Sequence, residues 1–153
     1  MIKRLATGFG FGFSPVMPGT VGTLWGLPLA WAVMQIPLLA AQIIVCAALT
    51  LLAVPLCAAA EKKLGKGKDP GCIVADEYLT LPICFLGLPF TPGVLVAGFV
   101  LHRLFDITKP PPIYQLQRIK GGVGIVVDDL VAALFALACN HLLYRLIFPS
   151  IIG

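Results

Sequence analysis

Charge is what this sequence has least of. Only 12% of its 153 residues are Asp, Glu, Lys or Arg, against 59% hydrophobic residues and a mean hydropathy of +0.97. A soluble domain carries about 25% charged residues, so this chain cannot cover a water-facing surface. No Asp, Glu, Lys or Arg occurs from Leu5 to Ala60, from Tyr78 to His102, or from Leu130 to Tyr144. The scarcity excludes an ordinary water-soluble domain, a disordered chain and a nucleic-acid binder. The apolar character extends far past the roughly 15–30 residues of a secretory leader. The sequence also lacks a CxxC pair. Its five cysteines, Cys46, Cys57, Cys72, Cys84 and Cys139, are odd in number and mostly lie in apolar runs. They read as small buried hydrophobes rather than disulfide partners or zinc ligands.

What remains is an all-α, polytopic integral membrane chain, a single domain over residues 1–153 with short or re-entrant helices. Residues 5–23, rich in Gly, Phe and Pro, predict an irregular interfacial segment, tolerated at membrane depth only against protein or a cavity. The uncharged run 24–60 fits two helices, since a span needs about 20 residues. A turn is expected near Gln35-Ile36-Pro37, with Pro28 in the first turn of the first helix and Pro55 kinking the second. Residues 61–71 predict an exposed loop, 108–127 a second loop, and 128–148 a last helix.

The segment 72–107 decides the topology. As one span it would hold Asp76/Glu77 and Asp106 about 40 Å apart. The Pro/Gly break at 87–93 favours a hairpin of two helices, about 73–88 and 93–107, with both acidic ends at one face. The hairpin also puts three basic clusters on the cytoplasmic side: Lys3/Arg4; Lys62, Lys63, Lys66 and Lys68; and Arg103, Lys109, Arg118 and Lys120. With Arg145 they make eleven basic residues, which against seven acids leave the net charge of +4.

The chain holds only seven acids, and five end apolar segments: Asp76, Glu77, Asp106, Asp128 and Asp129. Each alone reads as an interfacial cap or a helix-face ion pair, such as Asp106 with Arg103 or Lys109. Converging on one face, they suggest a hard-cation site, because Mg²⁺ takes oxygen ligands. Arg103, Asp106 and Lys109 share a helix face, and two cations beside a metal-binding acid suit a phosphate. Backbone N–H groups of Gly121–Gly124 could meet an anion, or the stretch is a plain loop. Thr20 and Thr23 could donate hydroxyls or cap a helix. Several phosphatase schemes are missing: no Cys-x₅-Arg loop, no Asp-x-Asp-x-Thr motif, and no nucleophile spacing around His102 and His141, which read as core or interfacial.

Three blocks carry a resemblance: GFGFGFSPVMPGTVGTLWGL from Gly8, GCIVADEY from Gly71, and FVLHRLFDITKPPPIYQLQRIKGGVGIVVDDLVA from Phe99. In order, their elements S-P-x-x-P-G-T-x-G-[ST], I-V-x-D-E, R-x-x-D-x-x-K-P-x-P-I and G-G-x-G-I-x-x-D-D resemble phosphatidylglycerophosphatase A of bacterial membranes. Thr108 stands where an aromatic is expected, and Leu79-Thr80 replaces an Ile-Gly pair; both bear on lipid packing. The resemblance implies a Mg²⁺-dependent lipid phosphatase of the bacterial cytoplasmic membrane, its site facing the cytoplasm. It would hydrolyse phosphatidylglycerophosphate to phosphatidylglycerol and phosphate. Asp76, Glu77, Asp106 and Asp129 would be catalytic, with Asp128 joining them as metal ligands. Arg103, Lys109 and Thr20 would meet the substrate phosphate, with water or a hydroxyl of Thr20 or Ser14 as the nucleophile. The rivals are a membrane cation or proton pathway without phosphatase activity, and a CDP-alcohol phosphotransferase, whose D-G-x-x-A-R element is absent.

Overall fold

The computed structural model describes residues 1–65, 70–116 and 118–147. Among them every regular element is helical: α1 (Ile2–Ala6), α2 (Pro18–Met34), α3 (Leu39–Leu64), α4 (Ala75–Thr80), α5 (Pro92–Thr108), α6 (Ile113–Leu116) and α7 (Gly122–Leu146), with 3₁₀ turns at Gly8–Phe13 and Leu81–Phe85. Two helices, α3 and α7, are long and apolar enough to cross a membrane. At about 39 and 38 Å they exceed a hydrocarbon core of about 30 Å. Large apolar side chains such as Ile44, Leu51, Leu52, Val96, Val100 and Leu142 point outward from α3, α5 and α7. That distribution suits a lipid solvent, in which small residues rather than large ones mark the helix contacts. The buried stripe of α3 is Cys46, Thr50, Ala53, Cys57 and Ala60. Against it lies the start of α7, where a Cβ on Gly122 would strike the Val54 carbonyl and Ala58.

The hairpin forms as the sequence predicts. Its first arm is α4 running directly into the 3₁₀ turn Leu81–Phe85, about 19 Å in all. The chain reverses through residues 86–91, and α5 returns from its N-cap Thr91, whose hydroxyl accepts from Val94 N. Carbonyls at the reversal and in the first turn of α5 take side-chain partners from α7. Asn140 of α7 donates from Nδ2 to Cys84 O at 3.1 Å and Val94 O at 3.2 Å. Its neighbour His141 has Nε2 2.9 Å from Leu86 O. The protein thus supplies the partners that lipid cannot. Gly98 is small for the same reason: a Cβ there would lie 2.5 Å from Phe85 and 2.8 Å from Asn140.

Four boundary expectations are corrected. Residues 18–23 are not irregular: α2 begins at Pro18, so Pro18 rather than Pro28 occupies its first turn. Pro28 lies inside α2, and Pro55 inside α3. The loop expected from residue 61 is helical to Leu64, where Gly65 ends α3 with φ 62°; Lys66 and Lys68 lie outside the described residues. The last helix starts at Gly122 rather than residue 128. The turn between α2 and α3, at residues 35–38, falls where Gln35-Ile36-Pro37 puts it. Cys46, Cys57 and Cys84 are buried, Cys72 and Cys139 half-buried, and none of the five forms a disulfide among the described residues.

Candidate active site at the open end of the hairpin

The two hairpin arms bring their acidic ends together. Arg103 Nη1 lies 3.0 Å from Glu77 Oε2 and 2.6 Å from Asp106 Oδ2, so one guanidinium joins α4 to α5. Lys109 sits just beyond α5, in the left-handed region at φ 43° and ψ 57°. A non-glycine residue is uncommon there and is held by its surroundings. Its Nζ lies 2.6 Å from Asp128 Oδ2 and 3.8 Å from Asp106 Oδ1, joining α5 to α7. A cavity of about 250 Å³ opens between these elements, lined by Asp76, Glu77, Asp106, Lys109, Asp128 and Asp129 among others. All five singled-out acids therefore line one space, with Lys109 at its wall and Arg103 behind Glu77 and Asp106.

α2 closes the site from the side. Thr23 accepts from Arg103 Nη1 at 3.3 Å and donates to Glu77 Oε2 at 2.6 Å, as well as to Gly19 O at 2.9 Å. Gly19 is where side-chain volume is forbidden: a Cβ would lie 2.5 Å from Glu77 Oε1 and 2.9 Å from Arg103. Thr20 is half-buried; it does not line the acidic cavity, and its Oγ1 has no hydrogen-bond partner among the described residues. Thr23 is the hydroxyl that touches the acids.

Two readings of residues 121–129 change. Asp128 and Asp129 do not cap α7; they lie in its second turn, buried, while Gly121 is the N-cap. The glycines before them are not an open anion loop. Gly124 N and Ile125 N both donate to Gly121 O, and Gly122 and Gly124 pack against α3 and Ile119. His102 proves to be a fully buried neighbour of the site, its Nε2 4.0 Å from Asp129 Oδ1. A core or interfacial histidine was expected there, with no sign of that neighbour.

The electrostatics follow from packing five carboxylates with two cations, an excess of three negative charges if all ionise. Burial pushes Glu77, in the short α4, up to about 7, with the Asp106 charge adding to the rise and Arg103 and Thr23 opposing it. Burial would lower the pKa of Lys109, but its hydrogen bond and ion pair with Asp128 and the charges of Asp106 and Asp129 raise it. It is a held ammonium.

The donor chemistry fits a hard divalent cation: carboxylates only, net negative, with Asp128 Oδ1 and Asp129 Oδ1 buried and lacking hydrogen-bond partners among the described residues. Among those residues no three acids form a ready-made ligand cluster. Arg103 and Lys109 occupy carboxylate oxygens that a metal would compete for.

Residues 4–144 match the model of the phosphatidylglycerophosphatase A family. The chain is 37% identical over 134 residues to phosphatidylglycerophosphatase A of Escherichia coli K12, covering 86% of this chain and 77% of that protein. It is 36% identical over 137 residues to phosphatidylglycerophosphatase A of Haemophilus influenzae, covering 88% and 83%. It is also 36% identical over 138 residues to a Bacteroides thetaiotaomicron protein provisionally named a phosphatidylinositol-3-phosphatase, covering 86% of each. No solved structure matches it.

Proposed function

The chain belongs to the phosphatidylglycerophosphatase A family, and from that premise we propose that it is the Mg²⁺-dependent phosphatase that converts phosphatidylglycerophosphate to phosphatidylglycerol and inorganic phosphate. The reaction serves phosphatidylglycerol synthesis at the cytoplasmic face of a bacterial membrane, with the chain crossing it several times. The observation that supports this best is the pairing of Arg103 and Lys109 with five acids around one cavity. A cation channel or proton path has no use for two held cations there, whereas a phosphomonoester dianion needs them.

Asp76, Glu77, Asp106, Asp128 and Asp129 would hold the metal. When bound, Mg²⁺ supplies Lewis acidity toward the phosphoryl oxygens and lowers the pKa of water. The chain's own residues do the rest. Lys109 and Arg103 exchange carboxylate partners for phosphate oxygens and stabilise the charge developing on them. Glu77 lies against the same cavity, where its Oε atoms can meet the substrate phosphate or the attacking water. Thr23 and Arg103 orient that carboxylate. The buried wall of α7 keeps Asp128 and Asp129 away from bulk water, which strengthens each charge interaction.

The test is phosphate release by purified protein in detergent, with Mg²⁺ or with EDTA. Phosphatidylglycerophosphate and phosphatidylinositol 3-phosphate are supplied separately, because relatives at equal identity carry different headgroups in their names. Release from the first alone, and only with metal, is expected. No release from either under any divalent metal would remove the reading; preference for the second would reassign the headgroup.

A further inference from the structure

A second cavity lies on the other side of α4. It measures about 440 Å³ and is lined by Leu5, Phe9, Trp25, Leu29, Leu49 and Leu79 among others. That falls within the roughly 300–1,000 Å³ of small-ligand pockets, and its walls are almost wholly apolar. Its mouth is fixed. Trp25 stacks on Phe11 at 5.4 Å and meets Phe9 edge-on at 5.9 Å between ring centroids. The backbone beneath is bonded to the α4 approach: Val74 N donates to Ala6 O at 2.9 Å, and Tyr78 Oη donates to Leu5 O at 3.0 Å. A Cβ on Gly12 would strike the Cys72 carbonyl, so the loop lies flat on that strand of chain. Phe9, Phe11 and Phe13 are nevertheless 61%, 47% and 55% exposed. Such a rigid aromatic rim belongs at a membrane–water boundary. In α1, which packs on α3, exposed Lys3 and Arg4 immediately precede Leu5 of the cleft wall.

We propose that this cleft binds an anionic phospholipid, one acyl chain passing between Phe9 and Trp25 toward Leu29, Leu49 and Leu79, with its phosphate against Lys3 and Arg4. This lipid is a second molecule, not the one being hydrolysed. Asp76 and Glu77 line the acidic cavity while Tyr78 and Leu79 line the cleft, and 100° per residue puts the two pairs on opposite sides of α4. The helix is a wall between them. The same wall couples the two, because the lipid-filled cleft braces the chain that carries Asp76 and Glu77. Net negative headgroups are favoured because each nearby Lys or Arg adds attraction to anionic lipid. The assignment rests on the membrane placement proposed above, but not on the phosphatase reading.

The experiment uses Trp31→Phe protein, which leaves Trp25 as the sole tryptophan, reconstituted in phosphatidylcholine vesicles. A fixed fraction of the lipid is replaced by phosphatidylglycerol or phosphatidylcholine carrying dibrominated chains, which quench a tryptophan they touch. Neither lipid is a substrate, so the readout is independent of activity. Trp25 should be quenched with at least about 3-fold higher apparent affinity by brominated phosphatidylglycerol, as a favourable charge contact near the surface predicts. Lys3→Gln with Arg4→Gln should abolish that preference. Equal quenching by both lipids, or a preference that survives the double variant, would overturn the proposal. Excess short-chain phosphatidylglycerophosphate should leave the quenching in place; if it relieves it, the cleft holds substrate and the second-lipid assignment fails.

Discussion

Arg103 stands between Glu77 and Asp106, its Nη1 within 3.0 Å of one carboxylate and 2.6 Å of the other. Glu77 and Asp106 are 29 positions apart in the sequence, and the guanidinium makes them one site. Arg103→Lys should not substitute, because a lysine side chain is one bond shorter than the arginine whose Nη1 meets both carboxylates and Thr23. Its kcat should fall at least about 10-fold, since losing an orienting partner typically costs 10–100-fold. Steady-state kinetics on the folded variant checks this; near-wild-type kcat would show that Arg103 is only an ion-pair staple.

Removing single carboxylates tests the metal assignment. Asp76→Asn, Asp106→Asn, Asp128→Asn and Asp129→Asn should each lower activity at least about 10-fold and raise the Mg²⁺ concentration needed for half-activation, while the melting temperature in detergent stays within a few degrees. Two or more variants with ordinary turnover and ordinary Mg²⁺ dependence would make these acids structural.

Lys109 is pinned between Asp128 and Asp106 rather than snorkelling along the helix. Lys109→Gln should therefore reduce kcat strongly, leaving membrane insertion normal, because charge on the phosphoryl oxygens shifts in the transition state. Lys109→Arg should recover only part of it. A variant with unchanged kcat and altered vesicle binding would return Lys109 to a lipid-contact role.

Glu77 predicts a pH signature of the metal-free protein. Its pKa rises on folding from about 4.5 to about 7. Between those values the folded state holds more protons than the unfolded chain, so stability falls as pH rises through that window. With EDTA present, the melting temperature should drop from pH 5 to pH 8, and Glu77→Gln should flatten the drop. A wild-type melting temperature that rises over this range would contradict the burial of Glu77.

Gly19→Ala would carry one carbon into Glu77 and Arg103. It should lower activity at least as much as losing Thr23, although Ala is the better helix former. An active Gly19→Ala protein would mean that α2 stands farther from the acids than its packing indicates.

Part of this was legible in the residues. The hairpin was, because Gly87, Pro89, Pro92 and Gly93 forbid a continuous helix while apolar residues on both sides forbid a water-exposed loop. So was the meeting of Asp76, Glu77, Asp106, Asp128 and Asp129, which follows from pairing the hairpin's ends with the start of the last helix. The start of α7 was not. Gly121-Gly122-Val123-Gly124 reads as a flexible loop, yet these glycines are small because α3 and Ile119 come too close for a side chain. Local composition cannot separate glycine chosen for flexibility from glycine chosen for close approach. The same ambiguity hid Gly19, and let Pro28 stand in for Pro18 as the helix start. His102 beside Asp129 was invisible because α5–α7 packing, not spacing, sets that neighbour.

The bonds from Asn140 and His141 to the hairpin impose an order on assembly. The carbonyls of Cys84, Leu86 and Val94 emerge early in synthesis, and their partners come more than forty residues later, near the C-terminal end of α7. Until that helix arrives, the reversed segment would expose polar backbone to hydrocarbon at a cost of several kcal/mol per group. The hairpin therefore cannot settle at depth as an autonomous insertion unit; it must wait near the surface or in a protected compartment. Completing the chain is what seats it, and the acids on its two ends come together in the same event.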